Sequence, residues 1–336
     1  MSKFGNILPA TLINEKLNGL SQIKFEYELL KSFHTQRYQT IKELIELFDD
    51  ISKQLFQQST PIRTSFVSDD KGYNMYPNIN DELLSPFAPI DYKVSSNGVL
   101  NRDRQKNSIL HNAFIAALKE DQMIKPNKNS NVNIEYNPMK TYFAVPTQVN
   151  YVTGIIPTVS YTHEDCGALR VASKLLSLNY LHNEIRERGG AYGGGCTQNK
   201  NLFAFFSYRD PNTIETIDTF KQSIDWILDD NNVTQKDINE CLLNLFGGID
   251  SPKSCFEKYD QEFLQNMNED IRQKHRHELL SVNKTKLRDV VEKYLYNAIN
   301  DNNDDKIAYT IVGKKDLDQK EMRKLVDNQF KVVKIQ

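Results

Sequence analysis

Residues 181–195 read LHNEIRERGGAYGGG, and this stretch sets how the second half of the chain is expected to fold. Five glycines fall within seven positions, directly after a segment with apolar residues at helical spacing. Because glycine readily adopts the left-handed conformation found at helix ends, we predict that a helix stops at Gly189 and Gly190. Residues 202–208 read LFAFFSY, so a strand is expected soon after this reversal.

The elements on either side of the reversal follow from their own patterns. The preceding helix has an apolar stripe made by Leu169, Ala172, Leu176, Leu181 and Ile185. Thr162, with Asp165 three residues later, predicts the N-terminal cap of this helix. The nearly continuous apolar run at residues 202–208 predicts a central strand that is buried on both faces.

Further strands are predicted at residues 140–149, 151–161, 306–312 and 330–335, with capped helices between them. A sheet with a covering layer of helices makes an α+β domain, which we place at residues 137–336. We expect this sheet to be mixed or antiparallel.

The first part of the chain differs in its pattern. Residues 10–57 have helical periodicity and residues 62–67 give one convincing strand, so residues 1–70 have no sheet of their own to cover. They form either a small helical domain or the helical end of a larger domain. Residues 71–136 contain scattered prolines, glycines and asparagines, which predicts a linker with a short helix near residues 108–120.

Composition excludes several classes of protein. The 336 residues, enough for about two domains, carry 42 Lys and Arg against 44 Asp and Glu, so the net charge is −2. This balance predicts no nucleic-acid partner and no membrane partner, and no apolar run approaches the ~18 residues of a membrane span. The first residues lack the layout of a signal peptide, and four cysteines without a C-x-x-C pair are too few for a disulfide scaffold.

A metal site is not predicted in this chain. The closest approach to the zinc-protease pattern H-x-x-E-H begins at His275, but Leu279 stands where the second histidine would be. His182 and Glu184 form an H-x-E pair, yet the P-C-x-x-C segment of zinc deaminases does not follow.

The glycine-rich stretch admits two functional interpretations. A phosphate cradle is disfavoured, because its glycines precede a helix, whereas these follow one, and no G-x-x-x-x-G-K-[ST] motif is present. Glycines near a strand edge also allow an extended peptide to approach closely as an added strand. On this interpretation the substrate-binding residues are Gly189, Gly190, Ala191, Gly193 and Gly194.

Arg186 and Tyr192 lie on either side of the reversal, six residues apart. Folded back across the turn, the guanidinium and the phenol can converge on one carbonyl oxygen, as a peptidase requires where negative charge develops. The alternative is structural: an arginine in the last turn that interacts with the helix dipole, and a tyrosine packed against its neighbours.

Several segments carry a resemblance to a known family: residues 143–146, 150–152, 181–195, 207–216, 234–238 and 273–276. In order and motif they are similar to the presequence proteases, which belong to the pitrilysin/insulinase class of zinc metallopeptidases. The resemblance runs almost collinearly over residues 138–300 and is weaker over residues 7–68.

The resemblance implies an architecture and two catalytic residues. Family members have four related α+β domains in two halves that close around a peptide chamber. An arginine and a tyrosine of the fourth domain, which reach the scissile region, correspond by motif to Arg186 and Tyr192. The chain is thus expected to contain the helical C-terminal part of a third domain at residues 1–70, a linker at 71–136, and the fourth domain at 137–336.

The resemblance also implies what lies elsewhere. The family's zinc is bound by the N-terminal half, so we expect no metal and no zinc-dependent activity in this fragment alone. The expected partners are extended peptide substrates and that N-terminal half, in the mitochondrial matrix or another organelle lumen. The alternatives are a zinc-less, non-catalytic subunit of the same class and a peptide-binding module that acts alone.

Overall fold

A six-stranded mixed sheet organises the C-terminal part of the protein. The computed structural model describes residues 18–55, 66–76, 139–199, 201–300 and 306–334. The strands are β1 (Lys140–Val145), β2 (Asn150–Pro157), β3 (Gly193–Asn199), β4 (Leu202–Asp210), β5 (Ala308–Lys314) and β6 (Lys331–Lys334), in the order β3-β4-β2-β5-β1-β6. Strand β1 runs parallel to β5 and β6, and the other pairs are antiparallel, which confirms the predicted α+β class with a mixed sheet.

Most of the described helices lie between the strands of the sheet in sequence, and two lie before it. The long helix predicted before the reversal is α3 (Cys166–Leu176), which continues directly as a π-helix (Ser177–Arg188). After the sheet's central strands come α4 (Ile214–Leu228), α5 (Gln235–Ile249), α6 (Cys255–Gln265), α7 (Glu269–Leu280) and α8 (Lys284–Val291). A short π-helical turn (Glu292–Tyr296), α9 (Asn297–Asn300) and α10 (Gln319–Asp327) complete the described part. Upstream lie α1 (Leu20–Leu55) and α2 (Asp70–Met75).

The main core lies between the sheet and the helices α3, α4 and α8. Leu169, Leu175 and Leu176 of α3 are fully buried there, together with Phe203 and Phe205 of β4. The Phe205 ring stacks on Phe220 of α4 at a centroid distance of 5.2 Å. Burying one such side chain contributes about 1.5–3 kcal/mol, so the apolar stripes of the helices are what hold them to the sheet.

Strand β4 corrects the prediction that residues 202–208 are buried on both faces. Its residues alternate, because Phe203 and Phe205 face the helices while Phe206 and Tyr208 on the other face remain 37% and 38% exposed. The strand lies second from the sheet edge, and its composition resembles that of a central strand because the open face also carries aromatic side chains.

The predicted cap of the long helix is also wrong. The helix begins at Cys166 and its N-cap is Asp165, which makes no side-chain capping bond. Thr162 lies in the preceding turn, within hydrogen-bond distance of the Ser160 hydroxyl. The Asp165 carboxylate instead accepts hydrogen bonds from Lys293 and Tyr294, so a long-range contact displaces the local one.

Helix α1 confirms the helical periodicity of the first segment. The helix is interrupted only at Gln36, whose backbone angles are non-helical (φ −143°, ψ 52°). Many of its apolar side chains are exposed, among them Phe25 at 53%, Tyr38 at 85% and Phe48 at 64%. The predicted helix at residues 108–120 and most of the predicted strand at 62–67 lie outside the described residues.

Buried His275 makes folding sensitive to pH. This side chain of α7 is 2% exposed, and burial together with the Arg170 guanidinium lowers its pKa from 6.5 to about 4. Because the unfolded chain binds this proton below about pH 6.5 and the folded chain does not, stability is present above that pH and is lost as the pH falls towards 4. We expect a loss of about 1–2 kcal/mol between pH 7 and pH 5, measured by urea unfolding.

Two variants check this assignment. His275→Gln should flatten the loss between pH 7 and pH 5, whereas the exposed His277→Gln should keep it. Burial raises the pKa of the neighbouring Glu278, so this carboxyl makes the protein more stable, not less, as the pH falls. Both variants keep Glu278, so the difference between them gives the contribution of His275 to the pH dependence of stability. An equal pH dependence in both variants would show that His275 is not its source.

Candidate functional site

The chain reverses direction directly after the π-helix that continues α3. The Gly190 N–H donates to the Arg186 carbonyl and the Ala191 N–H to the Ile185 carbonyl, both at 3.1 Å. These bonds reach back four and six residues along the chain. The corresponding bonds at the glycine-terminated end of an α-helix reach back three and five residues, and the difference of one residue reflects the wider turn of the π-helix. Gly190 has φ +78°, so the predicted stop at Gly189 and Gly190 is confirmed.

This reversal brings the two predicted side chains, Arg186 and Tyr192, together. The Arg186 guanidinium carbon lies 5.8 Å from the centroid of the Tyr192 ring, within the range of a cation–π contact. Tyr192 is 57% exposed, and its ring leans against Tyr208 of β4 at a centroid distance of 5.3 Å. The Arg186 side chain is 51% exposed and its Nε lies 3.9 Å from the Glu187 carboxylate, so both polar ends lie at the surface.

A second arginine, which the sequence reasoning did not single out, completes this group. The guanidinium carbon of Arg209 lies 5.4 Å from the Tyr192 centroid, and the Arg209 carbonyl accepts the Tyr192 N–H at 3.3 Å. Arg209 has φ +51°, an uncommon conformation for a residue other than glycine. The available signal was its place inside residues 207–216, one of the segments that carry the family resemblance.

A buried polar network holds the two sides of the site in place. Asp210 is fully buried, and its carboxylate accepts from the Thr216 hydroxyl and from the Asn212 N–H, both at 2.8 Å. The Asn212 side-chain amide donates to the Gly189 carbonyl at 2.8 Å, and that of Asn150 donates to the Asp210 carbonyl at 3.1 Å. The end of the helix, the end of β4 and the start of β2 are thereby tied together.

The predicted substrate-binding residues make close contacts within the chain itself. A Cβ on Gly193 would lie 2.7 Å from the Tyr208 ring, and one on Gly194 would lie 2.7 Å from Ile185. At Gly189 it would lie 2.6 Å from the Ile185 carbonyl oxygen. The Ala191 side chain is 4% exposed and faces the core. These small residues thus let the helix, the turn and β4 pack closely.

Strand β3 lies at the end of the sheet, and the helix closes part of its edge. The Ser177 hydroxyl accepts from the Cys196 N–H at 2.9 Å and donates to the Cys196 carbonyl at 3.0 Å. Since outward groups alternate along an antiparallel strand, Gly194 presents its backbone on the same edge, two residues closer to Tyr192.

The described residues offer little to a metal ion. Among them, no group of three or more His, Cys, Asp or Glu side chains lies close enough together to hold one, so they do not fit the zinc that the resemblance assigns to the family. No helix in the described ranges has both the length and the apolar character of a membrane span.

Comparison with known proteins identifies the family. A family model described as the presequence protease (PreP) C-terminal domain matches residues 140–312, just over half of the chain. The mitochondrial presequence protease of Xenopus tropicalis is 40% identical over 158 residues, which cover 47% of this chain and 15% of that protein. That of Kluyveromyces lactis is 31% identical over 286 residues, which cover 84% of this chain and 26% of that protein. The chain belongs to the presequence protease C-terminal domain family and spans only 15% to 26% of these relatives' lengths.

Solved structures give weaker likenesses. Pitrilysin superposes with a TM-score of 0.42 at 11% identity, covering 89% of this chain and 33% of that one. A protease from Helicobacter pylori gives a TM-score of 0.42 at 15% identity, covering 60% of this chain and 52% of that one.

The close packing around the glycines predicts that Gly189 is needed for folding. Gly189→Ala should destabilise the chain by about 1–3 kcal/mol, because the added methyl meets a backbone oxygen that cannot move aside cheaply. Gly247→Ala in α5 is the matched control, since nothing lies within 4 Å of its added Cβ, and it should be neutral or stabilise by up to about 1 kcal/mol. Urea unfolding of both variants measures the difference, and equal stabilities would rule out the steric explanation.

Proposed function

We propose that this chain is the C-terminal part of the substrate chamber of a zinc metalloendopeptidase that degrades unstructured, presequence-like peptides. The observation that carries the proposal is the Arg186–Tyr192 pair, held over a glycine reversal beside the open end of β3. Membership of the presequence protease C-terminal domain family supports it.

In this proposal the chain's own residues bind and orient the peptide. The Arg186 guanidinium and the Tyr192 hydroxyl donate hydrogen bonds to the carbonyl oxygen of the scissile amide, where negative charge develops during attack. The backbone of Gly194 at the β3 edge pairs with the extended peptide as an added strand. The metal would come from the N-terminal half, where it would supply Lewis-acid chemistry.

The open face of the sheet supports a role as a chamber wall. Tyr151 of β2 lies directly beside Tyr208 of β4, so these two side chains share one face, and Gly193 of β3 lies beside Tyr208 on its other side. Tyr151 is 41% exposed, and Phe206 of the same sheet is 37% exposed. Exposed aromatic side chains next to hydrogen-bond donors suit an extended peptide of varied sequence, because they bind apolar groups without demanding one shape.

The rest of the chain fits the same proposal. Residues 1–70 would be the helical end of the third domain, residues 71–136 the linker, and residues 137–336 the fourth domain. The exposed apolar side chains of α1 suit a helix whose own sheet lies upstream of this chain. The curated relatives are named as mitochondrial proteins, which supports a mitochondrial location. The partner in this proposal is the N-terminal half of the same protease.

The second candidate function is a zinc-less, substrate-binding subunit of the same class. The lack of three close metal-ligating side chains among the described residues is compatible with it. Reading the full-length sequence upstream distinguishes the two, since the protease requires H-x-x-E-H in its N-terminal half and the subunit does not.

Removing either donor should slow catalysis in the full-length protease without unfolding it. Arg186→Ala and Tyr192→Phe should each lower kcat for a fluorogenic peptide by about 10²–10³, the usual effect of losing one oxyanion donor. Both side chains are more than half exposed, so the melting temperature should barely change. Arg188→Ala is the matched control, because Arg188 pairs with Glu184 on the same helix end. Normal turnover in both variants would contradict the assignment.

The isolated chain should lack zinc-dependent peptidase activity. Since the described residues gather no metal-ligand set, we expect less than stoichiometric zinc by elemental analysis and no peptide cleavage that a chelator abolishes. One bound zinc together with chelator-sensitive cleavage would overturn this expectation.

A further inference from the structure

A positively charged cavity of about 750 Å³ lies between helices α3, α5 and α7, and it shares no residue with the Arg186–Tyr192 site. Five cationic side chains line it: Arg170, Lys174, Lys253, Arg272 and Arg276. The protein as a whole has a net charge of −2, so this concentration of positive charge is local and opposite to the overall balance.

The carboxylates in the cavity wall neutralise only part of this charge. Asp250 pairs with Arg276, and Glu269 lies 3.2 Å from the Arg272 Nε. Among the described residues, Arg170, Lys174 and Lys253 have no carboxylate within ion-pair distance. Lys253 is still near enough to Glu257 to help lower the pKa of that carboxylate. The five cations of the wall therefore outnumber its two carboxylates, Asp250 and Glu269. Like charges gathered in a partly enclosed space repel one another, and an anion between them relieves that repulsion.

Arg170 is fixed in position by a neutral partner. One of its terminal nitrogens lies 2.7 Å from His275 Nε2, and the Tyr161 ring packs against the imidazole at a centroid distance of 4.2 Å. Because a guanidinium only donates, Nε2 accepts and the imidazole proton lies on Nδ1. A neutral imidazole orients the guanidinium without cancelling its charge, which leaves the remaining donors of Arg170 for a ligand.

We propose that this cavity binds a multiply charged phosphate-type oxyanion through Arg170, Lys174 and Lys253. A guanidinium presents a planar fork of donors that matches the oxygens of such an anion, and the two ammonium groups add point charges around it. The volume exceeds what a single phosphate needs and falls in the range of sites for small organic ligands, which favours a diphosphate or a phosphorylated small molecule.

Calorimetric titration of the 336-residue chain with pyrophosphate in low-salt buffer tests the proposal. We expect saturable binding with one anion per chain, and Lys174→Gln should weaken it about tenfold, as expected for the loss of one charge-assisted contact. Arg323→Gln is the matched control, because it removes one exposed positive charge that does not line the cavity, and its affinity should equal that of the unchanged chain.

Other outcomes would overturn the proposal. Equal weakening in Lys174→Gln and Arg323→Gln would show that the anion responds to overall charge, and heats matched by sodium chloride at the same ionic strength would show screening alone. Titration with citrate distinguishes the two chemical sources of a polyanion, since binding of citrate without pyrophosphate would exclude a phosphate-type ligand. The absence of saturable binding to the correctly folded chain would exclude the site.

Discussion

The buried carboxylate of Asp210 is the constraint on which the candidate site depends. It is fully buried, and among the described residues no cation lies within ion-pair distance. The Thr216 hydroxyl and the Asn212 N–H donate hydrogen bonds to its two oxygens in place of water. A buried charge that loses such donors becomes strongly destabilising. The positions of β4, the following turn and the first turn of α4 are therefore fixed together.

The buried Asp210 network also affects the positions of Arg186 and Arg209, the two arginines next to Tyr192. Asn212, held by Asp210, donates to the Gly189 carbonyl and so anchors the helix end from which Arg186 projects. Arg209 directly precedes Asp210, and its positive φ costs free energy that persists only where neighbouring contacts impose it. With this backbone conformation, the Arg209 guanidinium carbon lies 5.4 Å from the centroid of the Tyr192 ring. The geometry of the exposed residues thus depends on a buried hydrogen-bond network beneath them.

The contacts of the candidate site between residues close in sequence can be predicted from the sequence, whereas the contacts between distant residues cannot. The stop at Gly189 and Gly190 and the approach of Arg186 to Tyr192 depend on a few consecutive residues, so glycine chemistry and helical spacing suffice to predict them. The bonds from Asn212 to Gly189 and from Asn150 to Asp210 span 23 and 60 residues, and no local pattern indicates them. The α+β class can be predicted from the sequence because strands and helices have different periodicities of apolar residues. The exposure of one face of β4 cannot be predicted in the same way, because aromatic residues occupy both faces of the strand.

The open face of the sheet bears on the proposed role of this chain as one side of a peptide-binding surface. A single exposed aromatic contact or surface hydrogen bond contributes on the order of 1 kcal/mol, and an extended peptide loses conformational freedom at each residue it orders. In the proposed complex, Tyr151, Phe206 and Tyr208 would cover one side of such a peptide and leave the other side in water. Enclosure by a second wall would remove water from both sides and strengthen the donors at Arg186 and Tyr192, since hydrogen bonds gain strength in a low dielectric. Under the proposed function, a site built this way would bind weakly when open and act only when closed, which would give a physical reason to divide it between two halves of one protease.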